Sequence, residues 1–519
     1  MNEDRQRGAV LPRGGSAQVI RYLAHQLESR GHTSRILCGS LGGPSQLSNA
    51  QTFYDGLEVE AMDYTASAQS YKEGGPSMEG PAPFHPSYED RGPQAPDRIF
   101  TAVEPETIEH ITRAWKRHLT LNAAQTDLVH LHHLSHLQEA VGSAYGTTPS
   151  VTTFHGTDLK LLDRAQQVTR LAQKMGSPAF LQDHLHPELS ERNRDERLRD
   201  LERRYPLTQE EKNLLRTDWR QWPHAHTWSR RMRDHLQRAG RLVAVSESDR
   251  HEIDRLLDVP GEEVTVIPNG VEINNFAPRD LTDEQRMGYL RRWLVEDPRG
   301  WAPGQEEGSI RYSDADLARM YDTRGRLRPT LLWVGRYQQV KRLDLLLEAF
   351  ANVVRTSQVR PVLLVWGGYP GEAEGEHPLI TARRLGISED VYFIGWRGHD
   401  ELPLGMNCAD LMAAPAVNES FGMVYIEAQA CGTPPVATNT GGPATLITSE
   451  GPQANGWTVK PDDVSDLAAT LTKALAHPAE RRLRAQNGVE HVRANFSWSA
   501  VTDQYERLYD ETLTQADSH

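Results

Sequence analysis

Cysteine is scarce in this sequence: three residues in 519, Cys38, Cys408 and Cys431, are too few and too scattered for a disulfide framework or a zinc knuckle. Long hydrophobic runs are lacking, and no apolar stretch reaches membrane-spanning length. The polar opening MNEDRQR has no apolar core of the kind a signal peptide needs. These absences together set the expectation of a soluble cytoplasmic protein with no transmembrane segment. An excess of positive charge is missing too. The net charge of −14 argues against general nucleic-acid binding, because affinity for a phosphate backbone comes from accumulated Lys and Arg. Any polyanion must therefore be met by a local patch. No internal repeat of solenoid length is found.

What is present is an alternation of strands and helices, run through twice, which points to parallel sheets covered by helices. The first half offers a Gly14-Gly15 loop, a helix turning Val19, Ile20, Leu23 and Leu27 inward, and a strand around Ile36 and Leu37. Further strands are expected at Leu57–Ala61, Leu128–Leu131, Val151–Phe154, Leu242–Val245 and Val264–Ile267. The second half begins at TLLWVGRYQQVKRLDLLLEAF and continues through PVLLVWGG, DVYFIG and DLMAAP. The fold class is α/β: two doubly wound, Rossmann-like parallel-sheet domains facing a central cleft, with helical insertions. Ligands in such sheets sit at the carboxyl ends of strands.

The expected organisation is an N-terminal domain over residues 1–275 with an insertion at about 160–225, an interdomain insertion over 276–328, a C-terminal domain over 329–495, and a final helix over 496–519 returning to the first domain. Residues 66–97, rich in Pro, Gly and Ser, read as a mobile loop. The 160–225 insertion reads either as salt-bridged, solvated helices or as an acceptor-shaping element. In the second reading Trp219, Trp222 and Trp228 offer faces for stacking, and Arg192, Arg194, Arg203 and Arg204 could meet an anion. One departure from a regular doubly wound sheet is that only GAVL separates the charged start from Pro12-Arg13-Gly14-Gly15, so that the first strand is either shortened, over residues 5–11, or missing.

The chemistry concentrates in ESFGMVYIEAQACGTPPVATNTGGP, Glu419 to Pro443. Glu419 to Gly422 read as a loop, Met423 to Cys431 as a short helix stopped by Gly432 and Pro434, and Pro435 to Thr438 as a buried strand. The first amides of such a helix have no intrahelical acceptor and bind anions, phosphate above all. Glu419 precedes that anion site and Glu427, one turn in from Met423, flanks it. Two carboxylates repel phosphate but accept from hydroxyls, so sugar hydroxyls on either side of a diphosphate are a natural cargo. Taken singly, each glutamate could equally be an ordinary surface residue; the spacing carries the signal. Arg336 and Lys341, at the carboxyl end of the TLLWV strand, supply a fork and a point charge for one anion.

The stretches GRYQQVKRLDLLLEAF, VIPNGVEINNF and ESFGMVYIEAQACGTPPVAT closely resemble the nucleotide-sugar half of the retaining glycosyltransferases of family 4, which have the two-domain GT-B architecture. Thinner likeness runs through PRGGSAQVIRYLAHQLESRGH, DLVHLHHLSH, TTFHGTDLK and RLVAVSES. The resemblance implies that Arg336 and Lys341 grip the donor diphosphate, Glu427 accepts from the ribose hydroxyls and Glu419 contacts the donor sugar. It implies that Phe421, Gly422, Met423 and Val424 offer backbone amides, that Trp396 and Arg397 stand where the base is read largely through backbone, and that Gly14 and Gly15 approach the diphosphate. His155 is placed beside the reacting centre, with His133 and Asp158 facing the acceptor. On this likeness the catalytic set is His155, Arg336, Lys341 and Glu419.

The implied reaction is transfer of a sugar from a nucleotide-diphosphate sugar, UDP before GDP, to a hydroxyl of a saccharide, glycoside or natural product, with retention and without a required metal or other cofactor. A glycosyl phosphorylase, a nucleotide-sugar epimerase and a non-catalytic nucleotide-sugar-binding protein stay open as alternatives, and so does homo-oligomerisation. Asp314 to Asp316, DAD, resembles a metal motif of other glycosyltransferases but suits an Asp cap for a helix over Leu317–Tyr321. His130 and His132 alternate along an expected strand and, with His136, read as structural.

Overall fold

The computed structural model describes residues 15–43, 46, 48–90, 95–121, 126–176, 191–216, 219–357 and 360–517. It divides into two compact units: the first holds the chain to Ile267, apart from Ser246–Ser248, together with Gln504–His519; the second holds Ser246–Ser248 and Pro268–Asp503. Gly14 and the expected strand over residues 5–11 lie outside the described residues.

In the first unit, β1 (Arg35–Ser40) and β2 (Glu58–Asp63) pair in parallel from Arg35 opposite Glu58 to Ser40 opposite Asp63. A second parallel sheet takes β3 (Val129–His132), β4 (Ser150–Phe154), β5 (Arg241–Ala244) and β6 (Val264–Val266) in that order. The helix Gly15–Ser29 buries Val19, Leu23 and Ala24, whereas Ile20 and Leu27 are only half-buried. Its inward stripe is narrower than the sequence suggests.

Residues 66–97 are not a free loop. A helix covers Thr65–Lys72, and beyond it Met78 and Phe84 enter the core of this unit. Side-chain hydroxyls pin the connection: Ser67 donates to Ala82 O at 2.5 Å, Ser77 to Pro96 O at 2.5 Å and Tyr88 to Leu134 O at 3.1 Å. Proline and glycine mark the absence of regular structure here, while the few apolar residues between them supply the anchoring.

The 160–225 region is likewise part of the core. Helices cover Thr157–Lys174, Glu191–Arg204, Gln209–Leu215 and Ala225–Leu236, and their Leu161, Leu171, Leu198, Leu201, Leu214 and Leu215 are buried in one cluster. Trp219, Trp222 and Trp228 belong to the same cluster, at 8%, 8% and 4% exposure, and so cannot serve as stacking platforms for an acceptor. On the exposed face of Glu191–Arg204, Arg192 pairs with Glu196 and Arg204 with Asp200, the helical pairing that the alternating charges suggested.

The second unit is built on one six-stranded parallel sheet: β7 (Thr330–Val334), β8 (Val362–Trp366), β9 (Val391–Gly395), β10 (Leu411–Ala414), β11 (Pro435–Thr438) and β12 (Trp457–Val459). Their spatial order is β12-β11-β10-β7-β8-β9. The strands are continuous apolar runs, as they must be when helices cover both faces. The helix Leu343–Thr356 lays Leu343, Leu346, Leu347, Phe350 and Val353 on the sheet, a spacing of three and four residues that gives one apolar stripe. The chain winds outward from β7 through β9, then returns to place β10 beside β7. The order therefore reverses between β7 and β10, and the loops leaving those two strands diverge at the carboxyl edge, where such sheets open a crevice.

Residues 276–328 pack within this second unit. Trp301 enters its core, and Trp293 is buried against Trp366 at the end of β8, ring centroids 5.1 Å apart. The DAD stretch begins a helix over Asp314–Ala318, earlier than expected, and its cap is Ser313: the Ser313 hydroxyl accepts from Asp316 N while the Asp316 carboxylate accepts from Ser313 N. Asp314 pairs with Arg291 at 2.9 Å.

Candidate functional site

The two loops at the β7/β10 reversal carry the charged groups singled out in the sequence. After β7 the chain turns through Gly335, passes Arg336, and makes one tight turn over Gln339–Lys341. Arg342 then takes a left-handed conformation, φ 51°, which caps the helix Leu343–Thr356. After β10 the loop reaches Glu419 and enters the helix Met423–Ala430 through Gly422, φ 92°. The loops are tied together by Val417 N donating to Val340 O at 2.8 Å. Lys341 Nζ lies 2.5 Å from Glu419 Oε2, with the two side chains 28% and 19% exposed. Arg342 pairs separately with Asp462 at 2.7 Å, so the two adjacent cations at this helix start have different work.

The entrance to the helix Met423–Ala430 is held by backbone geometry. An added Cβ on Gly422 would overlap the Tyr425 ring, and one on Gly442 would overlap Phe421 backbone. Gly442 N donates to Glu419 O at 2.8 Å, and Tyr425 OH donates to Ala414 O at 2.7 Å. Phe421 is buried, while Met423 and Val424 are half-buried. The first-turn amides thus stand on a fixed platform, and such amides attract anions.

Glu427 is buried at 5% exposure, and its Oε1 meets His399 Nε2 at 2.9 Å. His399 packs against Phe276, ring centroids 4.9 Å apart. Arg336 Nε contacts Glu372 Oε2 at 3.3 Å. Glu372 Oε1 also accepts from Tyr337 N, and Glu374 Oε2 accepts from Gln339 N at 2.9 Å. The loop after β8 is thereby clasped to the loop after β7. His399, Glu372 and Glu374 were not singled out in the sequence, although each lies in the loop that leaves a strand's carboxyl end, where such partners belong.

Trp396 and Arg397 follow β9. Trp396 is half-buried beside Tyr369, ring centroids 5.2 Å apart. The Arg397 guanidinium does not reach the crevice edge; it is fully buried against residues 293–297. The Arg397 side chain is therefore not available to a ligand at the crevice.

In the first unit, His130 and His132 project from the same side of β3, their rings stacked with centroids 4.3 Å apart. His130 Nδ1 meets Tyr509 OH at 2.7 Å and its Nε2 meets Thr153 Oγ1 at 2.8 Å, which fits the structural role expected for it. His132 Nδ1 lies 2.8 Å from His155 Nε2. Burial pushes the His130 pKa down to about 3, and burial with neighbouring histidines holds His132 and His155 well below the usual range. These rings are neutral near pH 7, so one proton is shared between His132 and His155. His133, at φ 73°, stacks on Tyr88. Asp158, 3% exposed, accepts from Leu134 N at 3.2 Å and Leu159 N at 3.1 Å, and lies 3.6 Å from His133 Nδ1. Its carboxylate fastens the loop after β3 to the helix after β4. Gly15 opens its helix at the surface, and no helix among the described residues is long and apolar enough to cross a membrane.

The arrangement in the second unit offers two cations, a helix entrance and two hydroxyl-accepting carboxylates around one crevice edge. Comparison with known proteins gives the family and the fold. The model of the family described as Glycosyl transferases group 1 matches residues 326–491, and that of Glycosyltransferase Family 4 matches residues 13–275. The D-inositol 3-phosphate glycosyltransferase of Salinispora arenicola is 29% identical over 53% of this chain and 55% of its own length. The protein of that name in Segniliparus rotundus is 34% identical over 47% and 55%. The chain therefore spans about half the length of the curated relatives it matches. Among solved structures, sucrose-phosphate synthase of Thermosynechococcus elongatus matches with a TM-score of 0.59 at 18% identity, over 98% of both chains. HepE of Anabaena, in complex with UDP and glucose, matches with 0.53 at 17%, over 96% of both. Those two likenesses establish the fold, GT-B, with its pair of Rossmann-like domains. With a family model spanning more than half of its length, the chain belongs to glycosyltransferase family 4.

Proposed function

We propose that this protein is a hexosyltransferase that moves a sugar from a nucleotide-diphosphate sugar to a hydroxyl acceptor, with retention at the anomeric carbon and without a required metal. The observation that carries the reading is the Lys341–Glu419 pair at the entrance of the helix Met423–Ala430, with Glu427 fixed by His399 one turn further on. Lys341, Arg336 and the helix amides would take up the negative charge that grows on a departing diphosphate. Glu419 would accept from hydroxyls of the donor sugar and the free oxygen of Glu427 from those of the ribose. An oxygen of the leaving diphosphate can itself take the acceptor's proton. In that mechanism no protein carboxylate acts as nucleophile, unlike in a retaining hydrolase.

His155 is assigned to the donor sugar, with its ring orientation set by His132. His133 remains the residue for the acceptor, while Asp158 serves it indirectly, by fixing its loop. The donor proposed first is a UDP-sugar, in keeping with the UDP named in the HepE complex, and a GDP-sugar is second. The acceptor to try first is a polyol phosphate of the kind named in the curated relatives. Cytoplasmic placement belongs to the same proposal and fits three cysteines that are all free.

The test is release of nucleoside diphosphate from UDP-, GDP- and ADP-sugars, first without acceptor and then with inositol 3-phosphate. Slow hydrolysis of one donor class, accelerated by an acceptor, is expected. Tight donor binding with no turnover under any acceptor would favour a non-catalytic binding protein instead, and turnover that requires inorganic phosphate would favour a phosphorylase.

A further inference from the structure

Residues 276–325 are matched by neither family model. Yet they are built into the second unit: Arg286 reaches Cys408 O and Asp410, Trp301 packs on Tyr337 and His377, and one group of contacts lies along β9 and at its end. This strand is the edge of the six-stranded sheet, and an open edge needs cover. Tyr312 OH accepts from Phe393 N at 2.9 Å, and Tyr392 OH donates to Asp316 O at 3.0 Å. At the strand's last residue two backbones touch directly: a Cβ on Gly395 would overlap Arg299 O, and one on Gly300 would overlap Phe393 O. Glycine at both positions permits an approach that no other residue would allow.

Immediately after Gly395 come Trp396 and Arg397. The guanidinium of Arg397 is fully buried, donating from Nη1 to Asp297 Oδ2 at 3.0 Å and from Nη2 to both Trp293 O, at 3.0 Å, and Asp297 O. Glu401 Oε1 stands 3.6 Å from Nη1, and Glu401 Oε2 in turn accepts from Trp293 Nε1 at 2.7 Å. A buried guanidinium held by a planar array of oxygens has one position, and so has the backbone that carries it. The Arg397 side chain is thus committed to residues 293–297, and Trp396 and Gly398 on either side of it are half-buried at the carboxyl end of β9.

We propose that residues 276–325 act as a brace for the nucleobase end of the donor site, with Asp297 and Arg397 as positioning residues that fix the backbone of Trp396 to Gly398 against the base. The inference rests on the donor reading above. It assigns base discrimination to the support of a segment that neither family model matches, and it separates two halves of nucleotide recognition: charge, held by the loops after β7 and β10, and base, held by the loop after β9 through the brace.

The test compares Asp297→Ala and the near-isosteric Asp297→Asn in the full-length protein, with calorimetric binding of UDP, GDP and inorganic pyrophosphate. Asp297 is half exposed, so both variants are expected to fold. Asp297→Ala should weaken UDP by about tenfold and bring UDP and GDP closer to equal affinity, as loss of one charge-assisted contact to a positioning group implies, while pyrophosphate stays within about twofold. Asp297→Asn, which keeps an acceptor oxygen, should recover part of the UDP affinity. Equal weakening of UDP and pyrophosphate, or unchanged UDP binding and base preference, would overturn the brace while leaving the donor reading intact. Failure of the parent protein to bind any nucleoside diphosphate would overturn the donor reading and this inference with it.

Discussion

Replacing Lys341 by Ala removes one cation from a site that keeps its partner. The ammonium lies 2.5 Å from Glu419 Oε2 with 28% of the lysine side chain exposed, so solvent screens the pair and its share of folding stability is no more than about 1 kcal/mol. The effect on turnover should be far larger. A leaving diphosphate gains charge only as the glycosidic bond breaks, and a preorganised cation at that point stabilises the transition state by roughly 3 to 4 kcal/mol, or two to three orders of magnitude in kcat. The expected outcome is therefore a melting temperature shifted by only a few degrees together with a loss of about 100- to 1000-fold in acceptor-dependent nucleoside-diphosphate release. Thermal melts and a coupled assay on the same preparation read both quantities. Activity within about threefold of the parent would show that Lys341 does not meet the leaving group, and the charge argument for this crevice would fail with it.

Gly422→Ala forces a Cβ into the left-handed entrance of the helix Met423–Ala430 and against Tyr425, so turnover should fall by about tenfold or more while far-ultraviolet circular dichroism holds. Excess chelator should leave turnover within about twofold of the untreated enzyme, because charge neutralisation is assigned to Arg336, Lys341 and amides; complete loss with rescue by magnesium or manganese would return Asp314 and Asp316 to consideration. Replacing residues 170–220 by a short Gly/Ser linker removes Leu171, Leu198, Leu201, Leu214, Leu215 and Trp219 from one core, and at about 1.5 to 3 kcal/mol each that loss should prevent cooperative folding; a sharp thermal transition in the deletion variant would refute the core assignment. Burial lowers the pKa of His130 to about 3 and those of His85 and His235 to about 4, all in the first unit; the unfolded chain takes protons below about 6.5 that the folded one refuses, so stability is full above that pH and falls toward pH 4 by about 1.4 kcal/mol per pH unit for each histidine. Calorimetric melts from pH 7.5 to 4.5 should show this decline, and an unchanged melting temperature across the range would contradict it.

Most strands of the second unit were legible because they are short apolar runs closed by Gly, Pro or charge, and a parallel strand covered on both faces can be little else; β12, only three residues long, was not foreseen. TLLWV and PVAT, for example, become strands over Thr330–Val334 and Pro435–Thr438. The helix Met423–Ala430 was legible for a different reason: Gly422 and Gly432 punctuate it at both ends. The tryptophans misled because apolar aromatics amid many charges suggest an exposed platform. The spacing of Trp219 and Trp222, beside the leucine pairs 198/201 and 214/215, already traced a buried face with helical period.

The partners of the charged residues were harder to foresee, because a topology and not a local rule decides them. Glu372 stands 36 residues from Arg336, and His399 stands 28 from Glu427. Nothing in the intervening residues fixes those distances; the first follows from β8 lying beside β7, and the second joins the loop after β9 to the helix after β10, two strands that are not neighbours in the sheet. Once that order is known, every loop at the carboxyl edge becomes a neighbour of the crevice, and acidic or imidazole groups at its root become candidates. The same logic exposes an electrostatic balance that single-residue reading cannot. Lys341 is paired with Glu419 and Arg336 with Glu372, so both cations proposed for the diphosphate face carboxylates. On the proposed function, a bound diphosphate would share or displace those contacts, and in doing so would turn Glu419 from a lysine's partner into an acceptor for sugar hydroxyls. Donor binding and the placement of Glu419 on the sugar are then one event. On that account a nucleoside diphosphate lacking the sugar should bind with the lysine exchanged but the glutamate unserved, and Glu419→Gln should weaken UDP-sugar more than UDP. Equal losses for the two ligands would show that Glu419 acts only through Lys341.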